Sequence, residues 1–291
     1  NIRMIIPNTA FFANKESMLR ARFSKKKDFI ATRLEKVVMK AYIEKYKNFM
    51  LAYYHLPTIV TFKVFGVLPN NPWVMGTNNS AILCLDNGKL VADYVNAGVN
   101  RDKVAQIGSY KTDCYNNKST HVDTIGFALP QMYEHDILDW EEHIEIIEGL
   151  LSGLELMEKD IVIFLHPKMD KAHYQYLERE YRCEISNQRT DLGLKHVDLY
   201  VATFSTTVFT ATAYHVPSLV IDCFEAKYDM FDQYKSIQVF TDITNLLQRA
   251  DGLTKNRNKF LELKKLVSDD AKRLGNEPGE GIKKLNDLIR G

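Results

Sequence analysis

The sequence predicts an α/β protein built from parallel sheets. Three observations predict it. Short runs that are apolar on both faces, such as "AILCL" (81–85) and "IVIFL" (161–165), alternate with segments of helical period. Side chains able to do chemistry collect where those runs end, which is where open parallel sheets bind ligands. The 291 residues, 45% hydrophobic and 26% charged, are enough for two domains.

The elements follow in order. After one short strand, residues 15–55 contain no Pro or Gly and many Lys, Glu, Leu, Met and Ala, so one long helix or two broken near "SKKKD" is expected. "TIVTFKVF" (58–65) is rich in β-branched and aromatic residues and predicts a strand. "LPNNPW" is a loop. Then come a strand (81–85), a helix (87–98) stopped by Gly98, and a strand (103–108). The polar, aperiodic "YNNKSTHV" (115–122) marks the boundary between an acceptor-side domain, 1–118, and a nucleotide-donor domain, 119–291. The second domain runs strand 123–130, acidic helix 136–158, strand 160–167, helix 168–181, strand 197–205, helix 206–216, and strands 217–223 and 237–242. Helices over 243–249, 255–275 and 280–290 complete it.

Charge and cysteines narrow the class. Residues 1–55 hold 12 Lys and Arg against 4 Asp and Glu, a net +8, which leaves −7 for the remainder of a chain whose total is +1. The basic block, with "RARFSKKKDF" at 20–29, suits an anionic membrane surface or polymer, or is a solvated helix face. The overall balance and the lack of a recognition motif argue against nucleic acid. None of the four cysteines forms a CxxC pair or has a histidine at zinc spacing, so no metal is expected and a reducing, cytoplasmic compartment fits. No apolar run is long enough to span a bilayer. The chain opens on Asn1, as a piece of a longer or processed protein does, and shows no secretory signal.

The chemistry concentrates at a few strand ends. "IVIFLHPKMD" ends a buried strand on His166, with Pro167 suited to the first position of a following helix. A positioned imidazole there can donate to a phosphate or be a structural residue. "VATFSTTVFTATA" places Ser205, Thr206 and Thr207 where a strand becomes a helix. Hydroxyls and unpaired N–H groups at such an end favour an anion, and the same residues also serve as a plain N-cap. "GVNRDKVAQIGSYKTD" puts Gly108 and Ser109 at a sharp turn, with Asp113 as a candidate base and Lys111 as solvated charge. "FALPQMYEHD" sets Pro130 at the end of the next strand, with Gln131, Tyr133, Glu134 and His135 behind it.

The order of these pieces resembles the GT-B glycosyltransferase superfamily over roughly residues 73–290. There "Gv..dKv..iGs...D" closes the first domain, and an "lHP" strand and a "D.yvatfStt..tA...hvPslvid" segment form the nucleotide-binding half of the second. The pairing of His-Pro with a later Ser-Thr at a helix start is similar to bacterial sialyltransferases and Kdo-transferase-like enzymes. It is also similar to CDP-glycerol glycerophosphotransferases. The resemblance implies two Rossmann-like domains facing a cleft, no cofactor, and His166, Ser205 and Thr206 on the donor phosphate. Two departures stand out. The first 72 residues are too few in βα units for a full first domain, which is therefore truncated or atypical. The acidic-acidic-Gly motif that supplies a base in many bacterial sialyltransferases is absent. The base then lies upstream, differs, or has been lost with the domain's degeneration.

The expectation is a nucleotide-sugar-dependent transferase of the bacterial cell envelope, inverting and metal-independent. It moves a sugar or polyol phosphate from a cytidine-nucleotide donor, such as a CMP-sugar, to a glycan or lipid-linked acceptor in polysaccharide biosynthesis. His166 and Asp113 are its catalytic candidates. Pro167, Ser205, Thr206, Thr207, Gly108, Ser109 and Pro130 join His166 around the donor. Peripheral contact with the inner membrane surface runs through residues 15–55. The alternatives are an enzyme like the UDP-N-acetylglucosamine 2-epimerases and a catalytically silent nucleotide- or glycan-binding module.

Overall fold

The computed structural model describes residues 4–7, 19, 37, 39–69, 71–74, 81–108, 115–134, 137–203, 205–223, 231–275 and 280–290. The chain divides into one unit of Asn1–Ser109 with Ile282–Gly291 and another of Tyr110–Gly281.

In the first unit, β1 (Met4–Pro7) forms an antiparallel-free, three-stranded parallel sheet with two later strands. These are β4 (Ala81–Leu85) and β5 (Val104–Gln106), in the order β1-β4-β5. Leu83 and Leu85 pack on Leu90, Val91 and Tyr94 of the helix Gly88–Asn96. That helix starts where the Asn87 side chain accepts from Leu90 N–H at 3.0 Å. It ends where Gly98 takes a φ of +97° that only glycine adopts cheaply.

Two expectations are corrected here. Residues 43–52, inside the expected basic helix, form an antiparallel hairpin of β2 (Ile43–Tyr46) and β3 (Phe49–Ala52), turning at Lys47 with φ of +55°. The aromatic content of this stretch, Tyr42, Tyr46, Phe49, Tyr53 and Tyr54, outweighs the helix formers between those residues. Of residues 15–38, only Leu19 and Val37 are among those described. The expected strand 58–65 is the helix Leu56–Val64. Pro57 presets its first turn, and the Thr61 hydroxyl donates to Pro57 C=O at 2.9 Å within the helix. Ile59 then docks on Met39 and Tyr42, so local packing overrides β-propensity.

The second unit holds a six-stranded parallel sheet. Its strands are β6 (Thr124–Ala128), β7 (Asp160–Phe164), β8 (Cys183–Ile185), β9 (Leu199–Ala202), β10 (Ser218–Ile221) and β11 (Ile237–Phe240). Their spatial order is β11-β10-β9-β6-β7-β8. The chain therefore builds outward from β6 to one edge, returns, and builds outward from β9 to the other. The order reverses between β6 and β9, which are paired through Ile125–Leu199 and Phe127–Val201. Alternation fills both faces. Leu199 and Val201 enter the core that includes Leu150, Leu154 and Phe260, whereas Tyr200 and Ala202 enter the opposite one with Val208 and Val216.

The expected helix 168–181 is two single turns, Lys171–Tyr174 and Leu177–Glu180, which lead into β8. Sequence reading passed over β8 and the turn Thr190–Gly193. Gly193 and Gly126 matter for packing, because the Phe164 ring lies against both: an added Cβ would stand 2.3 Å from the ring at Gly193 and 2.9 Å from it at Gly126.

Candidate functional site

A reversal of strand order opens a crevice beyond the C-terminal ends of the two central strands, where both chains leave in opposite directions. The residues leaving β6 are Leu129 and the buried Pro130, and those leaving β9 are Thr203 and, two residues on, Ser205. Next to β6 is β7, whose end carries His166. Leu129 N–H donates to Phe164 C=O at 3.1 Å, so pairing of β6 and β7 continues right up to the site. The second unit thus brings Pro130, His166 and Ser205–Thr207 to one end of one sheet.

The local structure at His166 explains why a buried strand ends on His-Pro. Residues 166–169 form a tight turn closed by Met169 N–H donating to His166 C=O at 2.9 Å. Pro167, exposed, takes the second position of this turn, which its fixed φ suits. It does not open the following helix, as expected; that helix begins at Lys171, with the Asp170 side chain accepting from Ala172 N–H at 3.0 Å. Two further bonds fix the histidine. Its own N–H donates to Met169 Sδ at 3.3 Å, and its Nδ1 accepts from Lys168 N–H at 3.2 Å. With Nδ1 accepting in this turn, Nε2 is the ring nitrogen left to donate. The turn thus sets the direction of the His166 ring.

Ser205, Thr206 and Thr207 open the helix Thr207–Ala213. Thr207 Oγ1 lies 2.6 Å from the hydroxyl of fully buried Tyr200 and 2.6 Å from Ser205 Oγ, giving a chain of three hydroxyls. Ser205 Oγ also accepts from Thr207 N–H at 3.2 Å. Val208 and Phe209 N–H donate to the carbonyls of Ser205 and Thr206 at 3.2 and 3.1 Å. The first helical N–H groups are thus satisfied within the turn, and Thr207 faces inward. The exposed member is Thr206, whose hydroxyl is turned to no side chain that the structure pairs it with among the described residues.

A cavity of about 220 Å³ lies against β7 and β8, between them and the stretch leading into β9. Phe164, Glu184, Ser186, Asn187, Gln188 and His196 line it. Lys171 Nζ donates to Asn187 Oδ1 at 2.8 Å, tying the helix after the His166 turn to this loop. Sequence reading missed the 186–188 loop because the strand leading to it has only three residues and no clear alternation.

Of the remaining candidates, Gly108 and Ser109 belong to the first unit, and Lys111 and Asp113 to the second. Gly108 follows β5 with φ of +82°. Ser109, Lys111 and Asp113 lie outside the described residues, as does His135 of the second unit. Among the described residues no cluster of His, Cys, Asp and Glu is arranged to hold a metal ion, and no helix is long and apolar enough to cross a membrane.

No protein-family model matches the chain, and no curated protein does. Solved structures do. A histidine-to-asparagine variant of the wall teichoic acid polymerase TagF matches with a TM-score of 0.52 at 12% identity, over 85% of this chain and 65% of that one. A TagF structure soaked with CDPG gives 0.49 at 14% identity, over 72% of this chain and 55% of that one. The UDP-GlcNAc 2-epimerase of Methanocaldococcus jannaschii, in complex with UDP-GlcNAc and UDP, gives 0.48 at 14% identity, over 74% and 63%. This chain thus spans little more than half the length of that soaked TagF chain. Identities this low speak to fold alone. Together with the six-stranded parallel sheet and its central reversal, the TagF match at 0.52 places the chain in the GT-B fold.

Proposed function

We propose that the chain is the nucleotide-handling part of a transferase that moves a sugar or polyol phosphate from a cytidine-nucleotide donor, such as a CMP-sugar, to a glycan or lipid-linked acceptor of the cell surface. One observation carries the reading. The Nε2 of His166 and the hydroxyls of Ser205 and Thr206 follow β7 and β9, the two strands on either side of β6, at the same end of one sheet. Directed donors are suited to a phosphate whose charge grows as a glycosidic bond breaks. The cytidine preference rests on the likeness of the "FLHP" and "FSTT" pieces to cytidine-nucleotide enzymes.

In this reading the donor phosphate accepts from His166 Nε2–H and from the Thr206 and Ser205 hydroxyls, with Pro130 and Pro167 shaping the walls. As the bond to the transferred group breaks, His166 stabilises the departing nucleotide by donating to its phosphate. A carboxylate takes the acceptor's proton, and Asp113 is the candidate. Gly108 and Ser109 belong to the same acceptor-side stretch. The reaction calls for no metal or cofactor. Peripheral membrane contact through residues 15–55 would bring the acceptor near.

Turnover of CMP-, CDP- and UDP-linked donors with product analysis tests this. His166→Ala is expected to lower turnover by roughly 10²–10³-fold, the usual loss for one preorganised donor to a developing charge. Unchanged turnover in a folded variant removes His166 from the mechanism. Epimerised donor formed without acceptor would favour the epimerase reading.

A further inference from the structure

The loop after β6 and the turn after β7 carry Pro130 and His166, and a buried side-chain network joins the two segments. Tyr174, at the end of the short helix behind the His166 turn, donates its hydroxyl to Glu134 Oε1 at 2.7 Å. Glu134 belongs to the loop after β6. The Tyr174 oxygen also lies 2.9 Å from His143 Nε2, in the first turns of the helix Trp140–Glu155. The phenol has one proton, and it goes to the carboxylate, so His143 Nε2–H donates to the phenol oxygen. His143 and Tyr174 are both fully buried. Trp140 packs on Tyr174 at 5.5 Å and Tyr133 on Trp140 at 5.2 Å, so rings wall the network in.

Two of its atoms are left over. Glu134 Oε2 and His143 Nδ1 are buried with no hydrogen-bond partner among the described residues. Buried acceptors in that state are costly, and an apolar trio of the same shape would pack at less cost. Stability alone therefore does not account for the network. Its position suggests what does. The bonds within the His166 turn fix the ring relative to the turn, but not the turn relative to the neighbouring loop. Met169, which takes the His166 N–H, shares one core cluster with Tyr174 and Leu129, so a bond from Tyr174 to Glu134 fixes both segments at once.

We propose that Glu134, Tyr174 and His143 form a positioning clamp that holds the His166 turn against the loop carrying Pro130 in the geometry that binds nucleotide. The clamp rests on the nucleotide reading given above. None of the three residues touches the donor; they act through His166 and Pro130.

Tyr174→Phe keeps the ring and removes only the hydroxyl. Two measurements on the full chain test the clamp. In hydrogen exchange without ligand, peptides covering 129–139 and 164–170 are expected to exchange about fivefold faster than in the parent, while the rest of the second unit is unchanged. In calorimetric titration with CDP, affinity is expected to fall about fivefold, as for one lost hydrogen bond. Glu134→Gln, which still accepts from Tyr174, is expected to retain both parent values. A purely structural role would lower the unfolding midpoint and leave the CDP affinity of the folded variant as it was. That result overturns the clamp, as does unchanged exchange in both peptides. If Tyr174→Phe does not fold, Glu134→Ala carries the same two expectations. If the parent binds none of CMP, CDP and UDP, the nucleotide reading fails, and the exchange arm still decides whether the network holds the turn.

Discussion

The Phe164 ring lies close on two glycine backbones, and Gly193→Ala tests the packing that ends β7 two residues before His166. The new methyl would stand 2.3 Å from Cε1 and 2.9 Å from Cζ of Phe164. Carbon atoms in contact sit about 3.5–4.0 Å apart, so the ring would have to move by more than about 1 Å. One other edge of the ring is already blocked. A Cβ built at Gly126 would meet Phe164 Cε2 at 2.9 Å, which places the Gly126 backbone close on another edge of the same ring. Alanine's helix propensity offers at most about 1 kcal/mol over glycine, and the helix at 190–193 is a single turn, so the steric term wins. We expect a net loss of about 1–3 kcal/mol, the usual cost of overpacking. For a unit of this size that lowers the unfolding midpoint by about 2–4 °C per kcal/mol. Urea and thermal unfolding of the variant would show it. Phe164→Leu removes the ring edge, so the double variant Gly193→Ala/Phe164→Leu should be more stable than the sum of the two single losses allows. A neutral Gly193→Ala, or strictly additive losses, would refute the argument.

Other expectations follow from buried polar groups. Burial lowers the proton affinity of His143 and His215, with Lys264 and Lys272 lowering His215 further. Below the ordinary value of about 6.5 the unfolded chain therefore binds more protons than the folded one, and stability falls as pH drops through that region. Urea midpoints at pH 7.5 and 5.5 should show the loss. His215 has φ of +62°, which asparagine tolerates, so His215→Asn should flatten part of the slope. Lys264 Nζ donates at 2.8 Å to Asn117 O, Asn117 Oδ1 and His215 O. Lys264→Met leaves these acceptors short of a donor and should cost about 1–3 kcal/mol in urea unfolding. A variant as stable as the parent would show that water replaces the ammonium.

The sheet of the second unit was legible because its strands are buried on both faces. "TIGFA", "DIVIF", "LYVA" and "SLVI" are mostly apolar runs between polar turns, and each became a strand whose ends lie within three residues of expectation. The strand Cys183–Ile185 was not legible, since three residues with Glu184 in the middle carry no periodicity worth reading. In the first unit the signal misled. "TIVTFKVF" has strand composition, but Pro57 and the Thr61–Pro57 bond start a helix that buries Ile59. Around the site, His166 and Ser205–Thr207 were visible as polar residues ending apolar runs. The clamp was not visible, because Glu134, Tyr174 and His143 lie far apart in sequence and meet only when the post-β6 loop and two helices pack. Pro167 was misplaced for a local reason: the same fixed φ suits a turn and a helix start, and the sequence does not separate them.

The central claim is that the end of this sheet holds a nucleotide's phosphate through His166. Calorimetric titration of the purified chain with CMP, CDP and UDP, repeated on His166→Ala, tests it most directly. The account predicts binding of CMP or CDP in preference to UDP, weakened by the substitution while the unfolding midpoint stays near that of the parent. Binding that His166→Ala leaves untouched, or no binding of any of the three nucleotides, would contradict it.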